Sequence, residues 1–291
     1  MFERKITTIS FEGPLVRLMS TRGERVEQWS EVVLPAEAID NGGLLEPALA
    51  GDTIKQRLQA DKYPRRHVVA AIPGHRSIIR TIGLPVVEPG LLAGAVERKV
   101  RQEITMPPGE MDLAWQVIGR VEDELRIFVA ANPRRTIDEH VQALRAAGLK
   151  PTQMDIGALA LARAANRSNA IIANLDLQGL TVVIVRQGLP VLVRTAPFAG
   201  PTASTEARLE LLTQELQRTI KFYNDSRRDQ PLPDQTPLVA TGAELGDALR
   251  QRQLSDRMGL PVVLPAPPLA YPDDFPLAAY SVNLGLALKL I

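Results

Sequence analysis

Lys5-Ile6-Thr7-Thr8-Ile9-Ser10-Phe11-Glu12-Gly13-Pro14-Leu15-Val16-Arg17-Leu18-Met19-Ser20 reads as a β-hairpin. Lys5 to Phe11 alternates, Leu15 to Ser20 is largely apolar, and Glu12-Gly13-Pro14 supplies the turn between them. A third strand, Arg25 to Leu34, follows a turn at Gly23. The same order returns in the second half as Ala170 to Leu175, Leu180 to Arg186 and Val191 to Thr195, with Gln187-Gly188 as a hairpin turn. A three-strand opening written twice, each copy leading into helices, predicts a duplicated α/β fold with mixed sheets.

The segments between fill out two domains, residues 1–168 and 169–291. Asp52 reads as the N-cap of a helix that carries Ile54 and Leu58 on one side. Val68 to Ile72 and Ser77 to Leu84 read as strands about Pro73-Gly74, and Glu88 to Thr105 as a helix closed by Met106-Pro107-Pro108. Asp112 to Val121 and Glu124 to Ala131 are two further strands. In the amphipathic helix Arg134 to Ala147, Ile137, Val141 and Leu144 share a face and Gly148 stands at the left-handed C-cap position. A short strand to Asp155 and an alanine-rich helix through Arg163 complete the first domain. In the second, Thr205 to Tyr223 forms a long helix with a Leu209, Leu212, Leu216, Ile220 stripe, Leu238 to Ala240 a strand, and Tyr280 to Leu288 the last helix.

Composition narrows the function. With 291 residues, 45% apolar content and a net charge of +1, the chain has material for real cores and lacks the concentrated Lys and Arg that bind nucleic acid. It contains no cysteine, so neither disulfides nor thiolate metal sites arise, and a reducing compartment suits it. His67, His75 and His140 are scattered, which argues against a histidine metal site. The N-terminus lacks a secretory signal and no stretch approaches the ~20 apolar residues of a spanning helix, so the sequence reads as cytosolic.

The order of several stretches resembles the PilM family of type IV pilus assembly proteins, actin-like relatives of FtsA. These are Val68-Val69-Ala70-Ala71-Ile72-Pro73-Gly74 with Ile82-Gly83-Leu84-Pro85, then Asp112 to Gly119, then Ala143 to Pro151 with Asp155 and Ala158 to Ala162, and finally Tyr280 to Ala287. The resemblance implies a two-lobed actin-like (ribonuclease H-like) fold with an inserted 1C-type subdomain from about Arg66 to Asn132. Because Thr205 opens its helix soon after Gly200, it also implies a shortened 2B subdomain. The family lies on the cytoplasmic face of the inner membrane, where it holds the tail of a PilN partner beside 1C and meets other pilus assembly proteins; GspL of type II secretion is a cousin. Ile79 and Trp115 are the apolar candidates for lining such a groove, with a core place as the plainer reading of Trp115.

Laid on this chain, the family's first phosphate loop falls on Ser10, Phe11, Glu12 and, further on, Arg17, so its aspartate and glycine are both lost. The second keeps an acid as Asp176 and a hydroxyl as Thr181, with Gln178 in place of glycine, and the adenosine motif becomes Ala240-Thr241-Gly242-Ala243. Such loops turn backbone N–H groups onto phosphate and need residues without Cβ, and Mg²⁺ prefers carboxylate and water oxygens. A carboxylate at Glu12 about 4 Å from a phosphate charge would repel it by ~4 kcal/mol at intermediate dielectric. Ser10, Arg17, Asp176, Thr181, Thr241 and Gly242 therefore mark a degenerate nucleotide cleft. The expectation is a scaffold, a pseudo-ATPase without ATP, Mg²⁺ or another cofactor, that binds a PilN-like tail; the alternative is a nucleotide-binding actin-like ATPase. Self-association by stacking of such lobes stays open as a third role.

Overall fold

The computed structural model describes residues 3–40, 43–74, 77–103, 109–177, 179–198 and 204–291. Gln178, His75, the 106–108 helix stop and residues 199–200 lie outside them. In chain order the strands and helices are β1 (Lys5–Glu12), β2 (Leu15–Arg22), β3 (Arg25–Val33), the short pair β4 (Ile39–Asp40) and β5 (Gly43–Leu44), α1 (Pro47–Ala60), β6 (Val68–Ile72), β7 (Ile78–Pro85), α2 (Pro89–Glu103), β8 (Met111–Val121), β9 (Glu124–Pro133) and α3 (Arg134–Ala146). There follow β10 (Pro151–Ile156), α4 (Gly157–Ala165), β11 (Asn169–Leu175), β12 (Gly179–Arg186), β13 (Leu189–Pro197), α5 (Thr205–Ser226), β14 (Leu238–Thr241), α6 (Ala248–Met258), β15 (Val262–Val263) and α7 (Ser281–Ala287).

Two five-stranded sheets carry the duplication. One runs β3-β2-β1-β6-β10 and the other β13-β12-β11-β14-β15. In each, three antiparallel strands are followed by two parallel ones. All strands of the first sheet precede residue 157 and all strands of the second follow residue 168. Both sheets are covered on their faces, which is why β1 and β2 are buried almost throughout and do not keep a polar face. Ile9, Val16, Leu18, Ile54, Leu58 and Leu144 fill the core beneath α1 and α3. Leu175, Val182, Leu209, Leu212 and Leu216 fill the equivalent core beneath α5.

The chain divides into two compact units, Met1–His75 with Glu139–Ile291, and Arg76–Asp138. The second is the insert, a β7-β9-β8 antiparallel sheet whose Ile82, Val129 and Ile127 pack on Val96 and Val100 of α2. It begins later than the Arg66 boundary expected from sequence, because Val68–Ile72 is a buried strand paired parallel to β1 in the first sheet. Asp52 is likewise an interior residue of α1: the helix starts at Pro47, whose missing N–H costs nothing in a first turn. Between β13 and α5 the chain passes from Pro197 to Thr205, leaving room for a connection and not for a subdomain.

Candidate functional site

The β1–β2 and β11–β12 hairpins carry the loops that the sequence offers as phosphate-loop candidates. In the first, cross-strand register sets Ser10 opposite Arg17 and Arg17 opposite Glu31, so the three share one face of the sheet with Glu12. Arg17 is 1% exposed. It forms an ion pair with Glu12 through Nη1 and another with Glu31 through Nε at 3.0 Å, and its guanidinium lies 5.8 Å from the centre of the Tyr280 ring. The Ser10 hydroxyl donates to Asn283 Oδ1 at 2.9 Å. Asn283, on α7, in turn donates from Nδ2 to the Thr8 carbonyl at 3.2 Å and the Arg17 carbonyl at 3.1 Å. The last helix of the chain thereby grips the first hairpin.

Register in the second sheet repeats the pattern, with Asn174 opposite Thr181, Thr181 opposite Thr195, and Asn174 beside Thr241. Asp176 closes its own turn. Its Oδ1 accepts from the Gly179 N–H at 3.0 Å and its Oδ2 from Asn174 Nδ2 at 3.3 Å. Thr181 and Thr195 share a hydrogen bond of 3.3 Å, and the Thr241 hydroxyl donates to the Ala173 carbonyl at 3.1 Å. Gly242 has φ +88°, and a Cβ there would meet the Leu175 carbonyl oxygen at 2.1 Å. The glycine of the adenosine motif is thus fixed by its packing against β11, whether or not a nucleotide is near.

Burial pushes the Glu12 carboxyl up to about 7 against the pull of Arg17, and Asp176 on the opposite hairpin adds to the rise. For Arg17 burial works the other way, but Glu12 and Glu31 more than offset it and the guanidinium is held above its usual value. The Glu12 and Asp176 carboxyls thus place like charge between the two hairpins, and buried Arg17 is engaged by both Glu12 and Glu31. Deeper in the second lobe, Glu244 pairs with Arg208 at 2.7 Å, and Arg208 lies 5.8 Å from the Phe198 ring centre. Among the described residues no group of three His, Cys, Asp or Glu side chains is placed to hold a metal ion.

The structure gives each of the six sequence candidates a partner within the protein and adds Glu31, Asn283 and the Glu244–Arg208 pair, which motif reading missed. Glu31 was recoverable in principle: a two-residue turn at Gly13-Pro14 fixes Ser10 opposite Arg17, and the next hairpin then brings Glu31 alongside. Asn283 was not, since its contact spans almost the whole chain. Within the insert, Ile79 and Trp115 do not line one groove. Ile79 pairs with Ala130 and Trp115 with Val129, and adjacent β9 residues point to opposite faces. Trp115 packs against the core under α2.

Known proteins share this architecture. A solved PilM–PilN type IV pilus biogenesis complex aligns with a TM-score of 0.79 at 21% identity, covering 98% of this chain and 98% of that one. The cytoplasmic domain of EpsL, an inner-membrane component of the type II secretion system of Vibrio cholerae, aligns at TM-score 0.57 and 12% identity over 98% and 95% of the two chains. A Bacteroides thetaiotaomicron protein with an actin-like ATPase fold aligns at TM-score 0.52 and 9% identity over 98% and 96%. These likenesses establish the actin-like fold. No curated protein matches the chain in sequence. The sequence profile described as type IV pilus assembly protein PilM matches residues 14–192, more than half of the 291 residues, and the chain accordingly belongs to the PilM family of type IV pilus assembly proteins.

Proposed function

We propose that this protein is an adaptor at the cytoplasmic face of the inner membrane, which holds the tail of a PilN-like membrane partner for pilus assembly and does not hydrolyse ATP. The observation that carries the second half is the buried Glu12–Arg17 pair, which exposed Glu31 closes from outside. Where an actin-like clamp turns glycine backbone and a cation toward phosphate, this chain has a side-chain ion pair and a hydroxyl already donated to Asn283. A magnesium-bound triphosphate does not fit that donor set: Ser10 is no substitute for an ionised aspartate, and the nearest carboxylates repel the ligand. The ATPase alternative requires Arg17 to leave both of its partners. No helix among the described residues is long and apolar enough to cross a membrane, so attachment falls to a partner.

For the partner, support comes from family membership and from the fold shared with the chain of the PilM–PilN complex. Strand β8 is an edge of the insert's sheet, and its mostly exposed residues leave main-chain groups for an extended tail to pair with. Fluorescence anisotropy with a labelled N-terminal peptide of the membrane protein encoded beside this one tests the reading. The expected dissociation constant is at or below about 50 µM, unchanged by added MgATP. A peptide that stays free at several times that concentration, or one whose affinity follows ATP, contradicts it.

A further inference from the structure

Strand β10 is the outer strand of the first sheet, and beside it lies a groove of about 630 Å³ between the end of α3 and the start of the strand. Val141, Leu149 and Met154 give it an apolar floor, and Arg145 and Lys150 stand at its exposed rim. A third cation joins them. Arg65 lies across Gly148, its Nη1 2.9 Å from where a side chain at that position would begin. None of these three cations has a carboxylate partner among the described residues. The groove also contains Gln153, whose Oε1 is buried with no hydrogen-bond donor. Three cations without a carboxylate partner among the described residues and an apolar floor describe a surface that suits an acidic segment carrying a small apolar group.

The chain itself supplies one. Hairpin β8–β9 ends in a two-residue turn at Glu122-Asp123, followed by Glu124; Glu122 sits at φ +51° and the Asp123 side chain is fully exposed. Arg120 pairs with the turn, at 3.3 Å from Asp123. Val121 and Val86 flank the turn, 56% and 43% exposed, with the Val86 N–H bonded to the Asp123 carbonyl at 3.0 Å. Apolar side chains this exposed beside an acidic turn of three carboxylates and one arginine complement the groove in charge and polarity.

We propose that the Glu122-Asp123 turn of one copy docks in the β10 groove of a second copy. The carboxylates then meet Arg145, Lys150 and Arg65, and the two valines reach the apolar floor. Tip and groove are different surfaces, so the contact is heterologous and propagates as a linear chain unless its rotation closes a ring. The ion pairs at the rim are solvent-exposed, so association is weak and falls with salt.

Sedimentation velocity on the full chain tests this. At low ionic strength the sedimentation coefficient rises with concentration, and raising salt from about 0.05 M to about 0.5 M weakens association by about tenfold. The double variant Glu122→Lys with Asp123→Lys, and separately Arg145→Glu with Lys150→Glu, remain monomeric with unchanged thermal unfolding. Mixing the two variants restores association, because each carries the surface that the other has inverted. A wild-type chain that stays monomeric near 1 mM, above the range of weak transient contacts, overturns the proposal. So does association that survives either variant, or a mixture that does not recover.

Discussion

Replacing Arg17 with methionine lowers folding stability by about 3–5 kcal/mol at pH 8, and by about 1 kcal/mol less at pH 5. The substitution keeps the length of the apolar stem and removes the one cation between Glu12 and Glu31, both of which reach it from the same sheet face. At pH 8 the variant must either hold Glu12 as an unpaired carboxylate facing Asp176 or keep it protonated against solution pH, and either costs free energy. As pH falls Glu12 takes a proton and the penalty recedes. Glu12→Gln gives the opposite sign. The Glu12 carboxyl titrates near 4.5 when unfolded and near 7 when folded, so its contribution is fully present below the first value and is lost as pH rises through the second. Glutamine keeps the neutral form at every pH, and Arg17 keeps Glu31. The variant's advantage over the wild type therefore opens between about pH 4.5 and 7 and levels off above it, on the order of 3 kcal/mol. Denaturant unfolding of the three proteins at pH 5 and pH 8 measures all of these differences. An Arg17→Met protein as stable as the wild type at pH 8 removes the ion pair from the account.

Gly285→Ala is expected to cost about 3 kcal/mol or more, out of all proportion to one methyl group. Helix α7 crosses α4 so closely at this residue that an added Cβ would stand 1.8 Å from the Ala160 carbonyl oxygen and 2.8 Å from the Ala160 Cα. Both obstacles are backbone, which no rotamer change can move aside. The helices must separate, and with them the contact of Leu286 with Ile6, Val69 and Ala160. Arg163, which donates to the Gly285 carbonyl while pairing with buried Asp155, loses its geometry as well. Since Asn283 grips the β1–β2 hairpin from the same helix, the variant should also loosen Ser10. Hydrogen exchange of the first hairpin would reveal that loosening, and unfolding curves the loss of stability. Wild-type stability in Gly285→Ala contradicts the close crossing.

What sequence revealed and what it concealed follow from how local each feature is. The paired hairpins were readable because Gly13-Pro14 and Gln187-Gly188 punctuate apolar runs, and α3 and α5 because each buries a long stripe. Helix α6 escaped notice: its only buried residue is Leu254, too thin a pattern for periodicity. The start of α1 was misplaced because Asp52 looked like a cap while Pro47 was the working signal. At the site, the loss of phosphate-loop residues was visible in Ser10, Glu12 and Gln178. The reason for it was legible only in part: hairpin register places Glu31, but Asn283 comes from the far end of the chain. Gly242 and Gly285 were noted as marks of a family, and only the packing explains why each must lack a side chain.

Calorimetric titration of MgATP into the purified protein bears most directly on the claim that the cleft is filled by its own ion pair. The account predicts no saturable heat up to millimolar ligand, and the same flat result when ADP replaces ATP. Saturable binding in the micromolar range, at one site per chain, would contradict it and return the protein to the nucleotide-binding members of its fold.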